Sequence, residues 1–406
     1  MSTRALFKKL FYTLPSMDLV RRVISVLKDK GVNVSIAGYT MKGKPIYTVE
    51  IGEGETRLLV IAGIHGNEPA PVNAALLSLL ILSEKRSPFN PYFSVRDYLR
   101  KVKVTIIPTA NPEGLEEYDN CAALDNKPLW SNTCSNARTN SLGYDINRDW
   151  MFLTQAETRI LHKIINEQDP HLIIDLHEFY GGENTPPQWP SRTLGFMITL
   201  TDAPYMWVNS LVNKASYIAM ESIATTLKSL MGAGWPIKYR HFTGGDESEK
   251  PVALPSILGA HVALEGYPKV LVETWGVGLH NYLFEERVIA HFYTVMTSID
   301  VLYNNEDLFI NAKTDHLREE KEVFSMHGRK YVVKGSEIEE VKEVLELHKI
   351  NYEAGSDGII IKLPQERSRM ALILLDSECE YNRKLKEMKK GPYTLDRFYD
   401  VSIEVV

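Results

Sequence analysis

An alternation of buried strands and amphipathic helices constrains the fold of this 406-residue chain more than any other feature. Residues 57–64 are apolar almost throughout, which is typical of a strand buried on both faces. A helical pattern follows at residues 70–84, and the same order recurs further along the chain. Strands are predicted at residues 102–108, 172–176 and 270–272, with helices at residues 154–167 and 208–231. We therefore predict an α/β fold with a mixed, mostly parallel sheet and helices on both faces.

Different patterns precede and follow this alternation. A helix is predicted at residues 17–30, and a β-hairpin at residues 32–51 with its turn at residues 41–45. After a charge-rich stretch, residues 330–375 show a compact strand–helix–strand–helix pattern, and residues 399–406 resemble one more strand. Because 406 residues exceed the usual size of one compact core, we predict a large domain over residues 1–305 and a small α/β domain over residues 306–406.

The composition excludes two classes of partner. Lys and Arg total 46 against 52 Asp and Glu, so the net charge of −6 lacks the basic surplus of nucleic-acid-binding proteins. No apolar stretch approaches the roughly 20 residues of a membrane span, and Lys8 and Lys9 interrupt any apolar signal core. We expect no nucleic-acid partner, no membrane partner and a cytoplasmic location; the oligomeric state is unknown.

The three cysteines do not have the spacing of a Cys-rich zinc site. Cys121 and Cys134 lie in one predicted loop and could form a disulfide. In a reducing compartment two free thiols are the expected state.

Candidate metal ligands follow the first buried strand. His65 and Glu68 lie in a predicted loop, because Pro69 disfavours helical geometry at Glu68. In open α/β sheets, catalytic groups gather beyond the carboxyl ends of the strands, and a strand of six residues spans about 20 Å. His177 is at the carboxyl end of its strand and His171 at the other end, so we predict His177 as the third ligand. Surface or satisfied core positions are expected for His162, His171, His241, His261 and His291.

A polar segment at residues 138–150 carries two arginines, Arg138 and Arg148. Guanidinium groups near a metal loop suit a substrate carboxylate and a developing oxyanion. A structural turn, in which Arg148 pairs with Asp145 or Asp149, is equally compatible with the composition of this segment. The residues alone leave both interpretations open.

Taken together, the motifs resemble the zinc metallocarboxypeptidase family typified by carboxypeptidase A. The matching motifs are His65-x-x-Glu68 with a distant His177, Asn111-Pro112-Glu113-Gly114, Arg138 followed by Asp145-x-Asn147-Arg148, and Glu273 after a late strand. The hairpin at residues 38–46 is also similar to that family. The resemblance covers roughly residues 20–300 in the family's order, and the C-terminal extension is similar to tails of some larger prokaryotic members.

The resemblance implies a metal centre. His65, Glu68 and His177 match the ligands of one Zn²⁺ per chain. Asp145 matches the acid that accepts the other N–H of a ligand imidazole.

The remaining matched residues are implied to act on the substrate. Arg138 matches the arginine that polarises the scissile carbonyl, and Asn147 and Arg148 match the pair that binds the terminal carboxylate of the substrate. Glu273 matches the general base that takes a proton from the zinc-bound water.

The implied activity is release of C-terminal amino acids from peptides. Two alternatives are an N-acyl amino-acid amidohydrolase of the aspartoacylase kind, whose metal loop also resembles residues 65–68, and a catalytically silent peptide-binding relative. The substrate is thus a peptide or an acylated amino acid. The family's substrate-capping tyrosine is missing near residues 250–252, where Tyr239 and Tyr267 are the nearest candidates. A polar insertion at residues 178–191 is expected to form a wall of the site, and the mostly apolar residues 256–263 indicate tolerance of neutral terminal residues.

Overall fold

The computed structural model describes residues 3–84, 95–123, 133–180, 197–203, 205–232, 234–240, 251–322 and 328–406. Eight of the described strands form one mixed sheet in the spatial order β1-β2-β4-β3-β5-β8-β6-β7. In chain order the strands are β1 (Asn33–Tyr39), β2 (Pro45–Ile51), β3 (Thr56–Ala62), β4 (Val102–Ile107), β5 (Leu172–Tyr180), β6 (Ile198–Thr201), β7 (Ile237–Arg240) and β8 (Lys269–Val277).

The centre of this sheet is parallel. Strands β4, β3, β5 and β8 pair in parallel, whereas β1 and β2 form an antiparallel hairpin at one edge and β6 runs antiparallel to β8 near the other. Every residue of β3 except Arg57 is buried, because parallel strands are covered on both faces. The predicted α/β class and mixed sheet are therefore confirmed.

Ten helices of the described chain accompany the sheet. They are α1 (Thr3–Tyr12), α2 (Met17–Asp29), α3 (Pro69–Glu84), α4 (Val95–Lys101), α5 (Pro112–Ala123), α6 (Ala156–Gln168), α7 (Ser210–Met231), α8 (Leu258–Leu264), α9 (Phe284–Asn304) and α10 (Glu306–Glu322). Helix α3 is apolar on all sides and buried through Leu82, as expected of a core helix. Its one buried amide, that of Asn73, donates to the carbonyls of Leu10 and Thr13 and so fixes the end of α1. Among the described residues, no helix has the length and apolarity needed to cross a bilayer.

A second, antiparallel sheet lies in the C-terminal part. Its order is β10 (Glu353–Ala354), β11 (Ile359–Lys362), β9 (Lys330–Gly335) and β12 (Val401–Val405), accompanied by α11 (Ile338–Leu347), α12 (Ser368–Leu375) and α13 (Glu380–Glu387). The predicted strands and helices of this small α/β unit are present. Helix α10 packs against α7 and α9 of the larger unit, and the domain boundary after residue 305 stays a prediction.

Three local expectations differ from the structure. Strands β5 and β8 continue past His177 and Glu273, so both residues lie within strands. The segment beginning at Asn111 leads directly into α5, and Pro112 is its first residue. The expectation of two free thiols was wrong, because a disulfide joins Cys121 to Cys134 with their Cα atoms 6.0 Å apart. The buried contact of α5 with the turn Ser135–Arg138 brings these cysteines together.

Candidate metal centre and active-site cleft

The predicted metal ligands converge on one buried point. Nδ1 of His65 lies 2.6 Å from Oε1 of Glu68, and Nδ1 of His177 lies 2.8 Å from Oε2 of the same carboxylate. All three side chains are buried, and their ligand atoms lie within 4.8 Å of one another. Two imidazoles and one carboxylate are a donor set that Zn²⁺ accepts while keeping a fourth position open. The residues present therefore fit a catalytic zinc ion.

Strand register and a glycine bring the ligands together. Leu176 of β5 is the partner of Ala62 at the end of β3, so His177 emerges beside the loop that carries His65. In that loop Gly66 packs on the backbone of Gly114, and a Cβ on Gly66 would lie 2.0 Å from the Gly114 carbonyl carbon. Position 66 in the metal loop therefore accepts only glycine.

We expect Gly66→Ala to disrupt the metal loop, because the added methyl group overlaps the backbone of α5. The expected result is a loss of about 2 kcal/mol or more in unfolding free energy, together with less bound zinc. Urea unfolding and metal analysis measure the two effects. Gly234→Ala is the matched control, because a Cβ there has no neighbour within 4 Å. Equal stability and zinc content in the two variants would contradict the packing argument.

Carboxylates orient both imidazoles from the side opposite Glu68. Oδ1 of Asp145 lies 3.1 Å from Nε2 of His65, and Oδ1 of Asp175 lies 2.9 Å from Nε2 of His177. Such contacts fix the tautomer that leaves Nδ1 available to a metal. Asp145 lies where the resemblance places it. Asp175 was missed, although a carboxylate two residues before His177 in an apolar strand lies on the same face of that strand.

The electrostatics keep the acids of this centre ionised. Burial by itself raises the pKa of Glu68, but its interactions with His65 and His177 outweigh burial and lower the pKa well below its usual range. Asp145 behaves in the same way. Burial raises its pKa, but the interactions with His65 and then with Arg138 outweigh burial, so the pKa lies well below its usual range. A carboxylate ligand with full negative charge is therefore present at neutral pH.

The metal centre lies at the base of a cleft of about 570 Å³. Arg138, Asn147, Arg148 and Glu273 all line this cleft together with the three ligands. Glu273 is the register partner of His177 on the adjacent strand and is half-buried. The structure thus brings together every residue that the sequence placed in the site, with Asp145 behind His65.

The two arginines have different surroundings. Nε of Arg138 donates to Asp145 at 3.0 Å, and its NH1 lies 3.4 Å from Oε1 of Glu68. Arg148 is exposed at the cleft, and its NH1 donates to the carbonyl of Asn147 at 2.8 Å. Asp149 instead accepts from the segment that starts α6, with Thr154 Oγ1 at 2.6 Å and Gln155 N at 2.8 Å. The pairing of Arg148 with Asp149, which the composition left open, is therefore not the arrangement in this segment.

The side chain of Asn147 is engaged with the fold. Its Oδ1 accepts from the backbone N–H of Leu258 at 2.9 Å, and its Nδ2 lies 3.5 Å from Nε2 of His177. Asn147 therefore connects the metal centre to the start of α8, and it is buried.

Several cleft residues had no role in the sequence interpretation. They are Asn67, Thr133, Ser135, Leu271 and Val277, whereas Ile257 belongs to the apolar segment 256–263 noted in the sequence. Tyr267 is buried in the core and is not a capping residue, and the side chain of Tyr239 lies outside the described part. Of the predicted wall at residues 178–191, the first three residues line the cleft and residues 181–191 lie outside the described chain. Among the described residues, Tyr180 is the tyrosine that lines the cleft, three residues after His177.

An ion pair supports the centre from behind. The side chains of Glu178 and Arg287 are fully buried, with Oε1 and NH1 2.7 Å apart, and Thr274 Oγ1 donates to the same carboxylate at 3.0 Å. The backbone N–H of Glu178 donates to Glu68 at 2.8 Å. Burial raises the pKa of Glu178 although the charge of Arg287 opposes this change. Glu178, the residue after His177, therefore links β5 to α9 through its ion pair with Arg287.

The five histidines that were expected at surface or core positions differ in their surroundings. His171 and His291 are buried core residues, each with a hydrogen bond, as expected, whereas His241 lies outside the described residues. His162 and His261 instead belong to a second buried group of possible metal ligands. No local pattern signalled this group except the spacing of His261 and Glu265, which are four residues apart in the sequence.

The residues of this site lie in a part of the chain that is similar to known carboxypeptidases. The family model described as zinc carboxypeptidase matches residues 27–194, which include the three ligands, Arg138, Asn147 and Arg148. Carboxypeptidase 2 of Trichophyton equinum is 24% identical over 269 residues, which is 63% of this chain and 44% of that protein. The chain spans about half the length, or less, of these curated relatives.

Solved structures show the same fold. A metallo-carboxypeptidase from Burkholderia cenocepacia superposes with a TM-score of 0.52 at 14% identity, over 72% of this chain and 71% of that one. Carboxypeptidase A from Helicoverpa armigera gives a TM-score of 0.52 at 13% identity, over 72% and 75%. The chain is thus similar to zinc carboxypeptidases in fold, and residues 27–194 match the model of that family.

Proposed function

We propose that this protein is a zinc-dependent carboxypeptidase that releases C-terminal amino acids from peptides. The observation that carries the proposal is one cleft holding the buried ligand set of His65, Glu68 and His177 together with Glu273 and two arginines. The match of residues 27–194 to the zinc carboxypeptidase family model and the similarity to carboxypeptidase 2 support it.

Glu273 is the residue placed to move the proton. Zn²⁺ bound at this centre supplies Lewis acidity, which lowers the pKa of a water and polarises a carbonyl. The carboxylate of Glu273 lies on the strand beside His177 and faces the same cleft, so it can accept the proton of the attacking water. The same group then returns that proton to the leaving amine.

The arginines match the charges of a peptide terminus. Arg138 lies beside the ligands, where its guanidinium can stabilise charge that develops on the scissile carbonyl oxygen. Arg148 is exposed at the cleft and suits the terminal carboxylate, which a guanidinium binds through paired hydrogen bonds. Asn147 contributes mainly by positioning, since its side chain already bonds Leu258.

Metal removal tests the proposed chemistry. We expect a chelator such as 1,10-phenanthroline to reduce hydrolysis of N-blocked dipeptides by at least about 100-fold, and added Zn²⁺ to restore it. Release of the terminal amino acid is the readout. N-acetylated free amino acids serve as the comparison substrate, because activity on them but not on dipeptides would indicate the amidohydrolase alternative. Absence of hydrolysis across both panels by the zinc-loaded protein would contradict the proposal and favour a silent peptide-binding relative.

The cleft lining predicts the preferred terminal residue. The cleft is partly apolar, since it is lined by Ile257, Leu271 and Val277. Among the described residues, the charged groups that line it are the ligands, the two arginines, Glu178 and Glu273. Since burial of a large apolar side chain contributes about 1.5–3 kcal/mol, we expect kcat/KM for terminal Phe or Leu to exceed that for terminal Lys or Asp by about 10-fold or more. Steady-state kinetics on dipeptides that differ only in the last residue measure this ratio. Preference for terminal Lys would contradict it.

A further inference from the structure

A second cluster of metal-ligand side chains lies outside the cleft. It consists of His162 on α6, His261 on α8, Glu265 just after α8, and His348 just after α11 in the C-terminal unit. All four residues are buried, and one potential ligand atom from each lies within 4.8 Å of those of the others. Three helices from distant parts of the chain thus direct three imidazoles and a carboxylate at one point.

The distances within the cluster suit a shared cation better than direct hydrogen bonds. Oε1 of Glu265 lies 3.5 Å from Nε2 of His162 and 3.7 Å from Nε2 of His261. Hydrogen bonds between such groups are usually about 2.7–3.2 Å long. Two ligands that each lie about 2.0–2.1 Å from a tetrahedral zinc ion are about 3.4 Å apart. The ring centroids of the three histidines are 5.1–5.5 Å apart, so the rings surround a common centre.

The cluster contains buried polar atoms without partners. Nε2 of His261, Nδ1 of His348 and Oε2 of Glu265 are buried and form no hydrogen bond. A buried polar atom that is left unsatisfied destabilises the folded state. A bound cation would satisfy all three at once.

The contact on the far side of the His348 ring resembles that of a metal-bound histidine. Nε2 of His348 lies 2.9 Å from the carbonyl of Met151, which places the proton on Nε2 and directs the Nδ1 lone pair at the cluster. His162 differs, because its Nδ1 accepts from the side-chain amide of Asn166 at 3.1 Å while its Nε2 faces Glu265.

An arginine contacts the carboxylate of the cluster from one side. Arg367 lies 3.7 Å from Oε1 of Glu265, the oxygen that also faces His162 and His261, whereas Oε2 forms no hydrogen bond.

We infer that His162, His261, Glu265 and His348 form a second, structural metal site for a divalent transition metal, Zn²⁺ in the first place. Four protein ligands fill a tetrahedral shell, which is the arrangement of structural rather than catalytic zinc. Because His348 belongs to the C-terminal unit and the other three ligands to the larger unit, the metal joins the two. The site is independent of the proposed peptidase activity.

Metal analysis of a variant that lacks the cleft ligands tests this inference directly. The double variant His65→Ala/Glu68→Ala leaves the second cluster untouched. We expect two zinc ions per wild-type chain and one per chain of the double variant after purification without chelator and with zinc present. Zinc absent from the double variant, with one ion in the wild type, would overturn the second site and leave the peptidase proposal intact.

A second experiment assigns the metal to these ligands. In the His65→Ala/Glu68→Ala background, we compare His348→Gln with His171→Gln, which alters a buried histidine outside the cluster. The first variant is expected to lose the remaining zinc and the visible absorption of bound Co²⁺, and the second to keep both. A strong chelator is expected to lower the unfolding temperature of the background protein by about 5 °C or more, with no such shift after His348→Gln. Zinc retained by a folded His348→Gln variant, or no chelator shift in the background protein, would overturn the site.

Discussion

Glu273→Gln is expected to lower kcat for dipeptide hydrolysis by about three orders of magnitude, with bound zinc unchanged. An amide has nearly the size of the carboxylate but cannot accept a proton at neutral pH, and general-base catalysis contributes about 10²–10⁴-fold. Glu273 is not one of the three ligand residues, although it is the strand neighbour of His177. The loss should therefore appear in the chemical step, with KM changing little.

Activity could be lost because the proton acceptor is missing or because zinc is no longer bound. Steady-state kinetics and metal analysis on the same preparation separate these two explanations. Glu117→Gln is a suitable control, because it makes the same chemical change at an exposed position on α5. A Glu273→Gln enzyme with more than a tenth of the wild-type kcat would show that another group takes the proton. A variant that has lost its zinc would assign a structural role to Glu273.

Arg287→Met is expected to lower the free energy of unfolding by about 3–5 kcal/mol, because it leaves the buried carboxylate of Glu178 without its cation. The loss should depend on pH. An acid whose pKa is raised by burial binds its proton more tightly in the folded state, so its protonation as the pH falls relieves the penalty. We expect a smaller deficit at pH 5 than at pH 8.

Urea unfolding at several pH values measures both the size and the sign of this effect. The double variant Arg287→Met/Glu178→Gln is the matched control, since a neutral amide should recover part of the loss and remove its pH dependence. A deficit below about 1 kcal/mol, or one that grows toward acid pH, would show that the pair is not an essential buried ion pair.

The metal centre was predictable because its signals are local. Unbroken apolar runs identify buried parallel strands. The rule that sites form toward carboxyl strand ends then selects His65, in the loop after β3, and His177, near the carboxyl end of β5. The short strands β6 and β7, four residues each, and helix α8, seven residues, carry too little periodicity for such a prediction.

Features that depend on distant pairing could not be read from the sequence. The bond between Cys121 and Cys134 requires α5 to pack against the turn at Ser135–Arg138. The second histidine cluster requires α6, α8 and the end of α11 to meet, and these come from parts of the chain with no shared motif. Tertiary packing, rather than local preference, decides both.

The segment that leads into α8 has a consequence for how specificity can change. Ile257 lines the cleft, while its neighbour Ser256 has its hydroxyl 3.1 Å from the hydroxyl of Tyr393. Tyr381 donates to the carbonyl of Ala253 at 2.7 Å, a few residues earlier. One wall of the substrate cleft therefore rests on the C-terminal extension. If the C-terminal extension were replaced by that of a relative, we expect the position of Ile257 in the cleft to change together with the stability of the protein. Mutations in the extension can therefore affect the cleft as well.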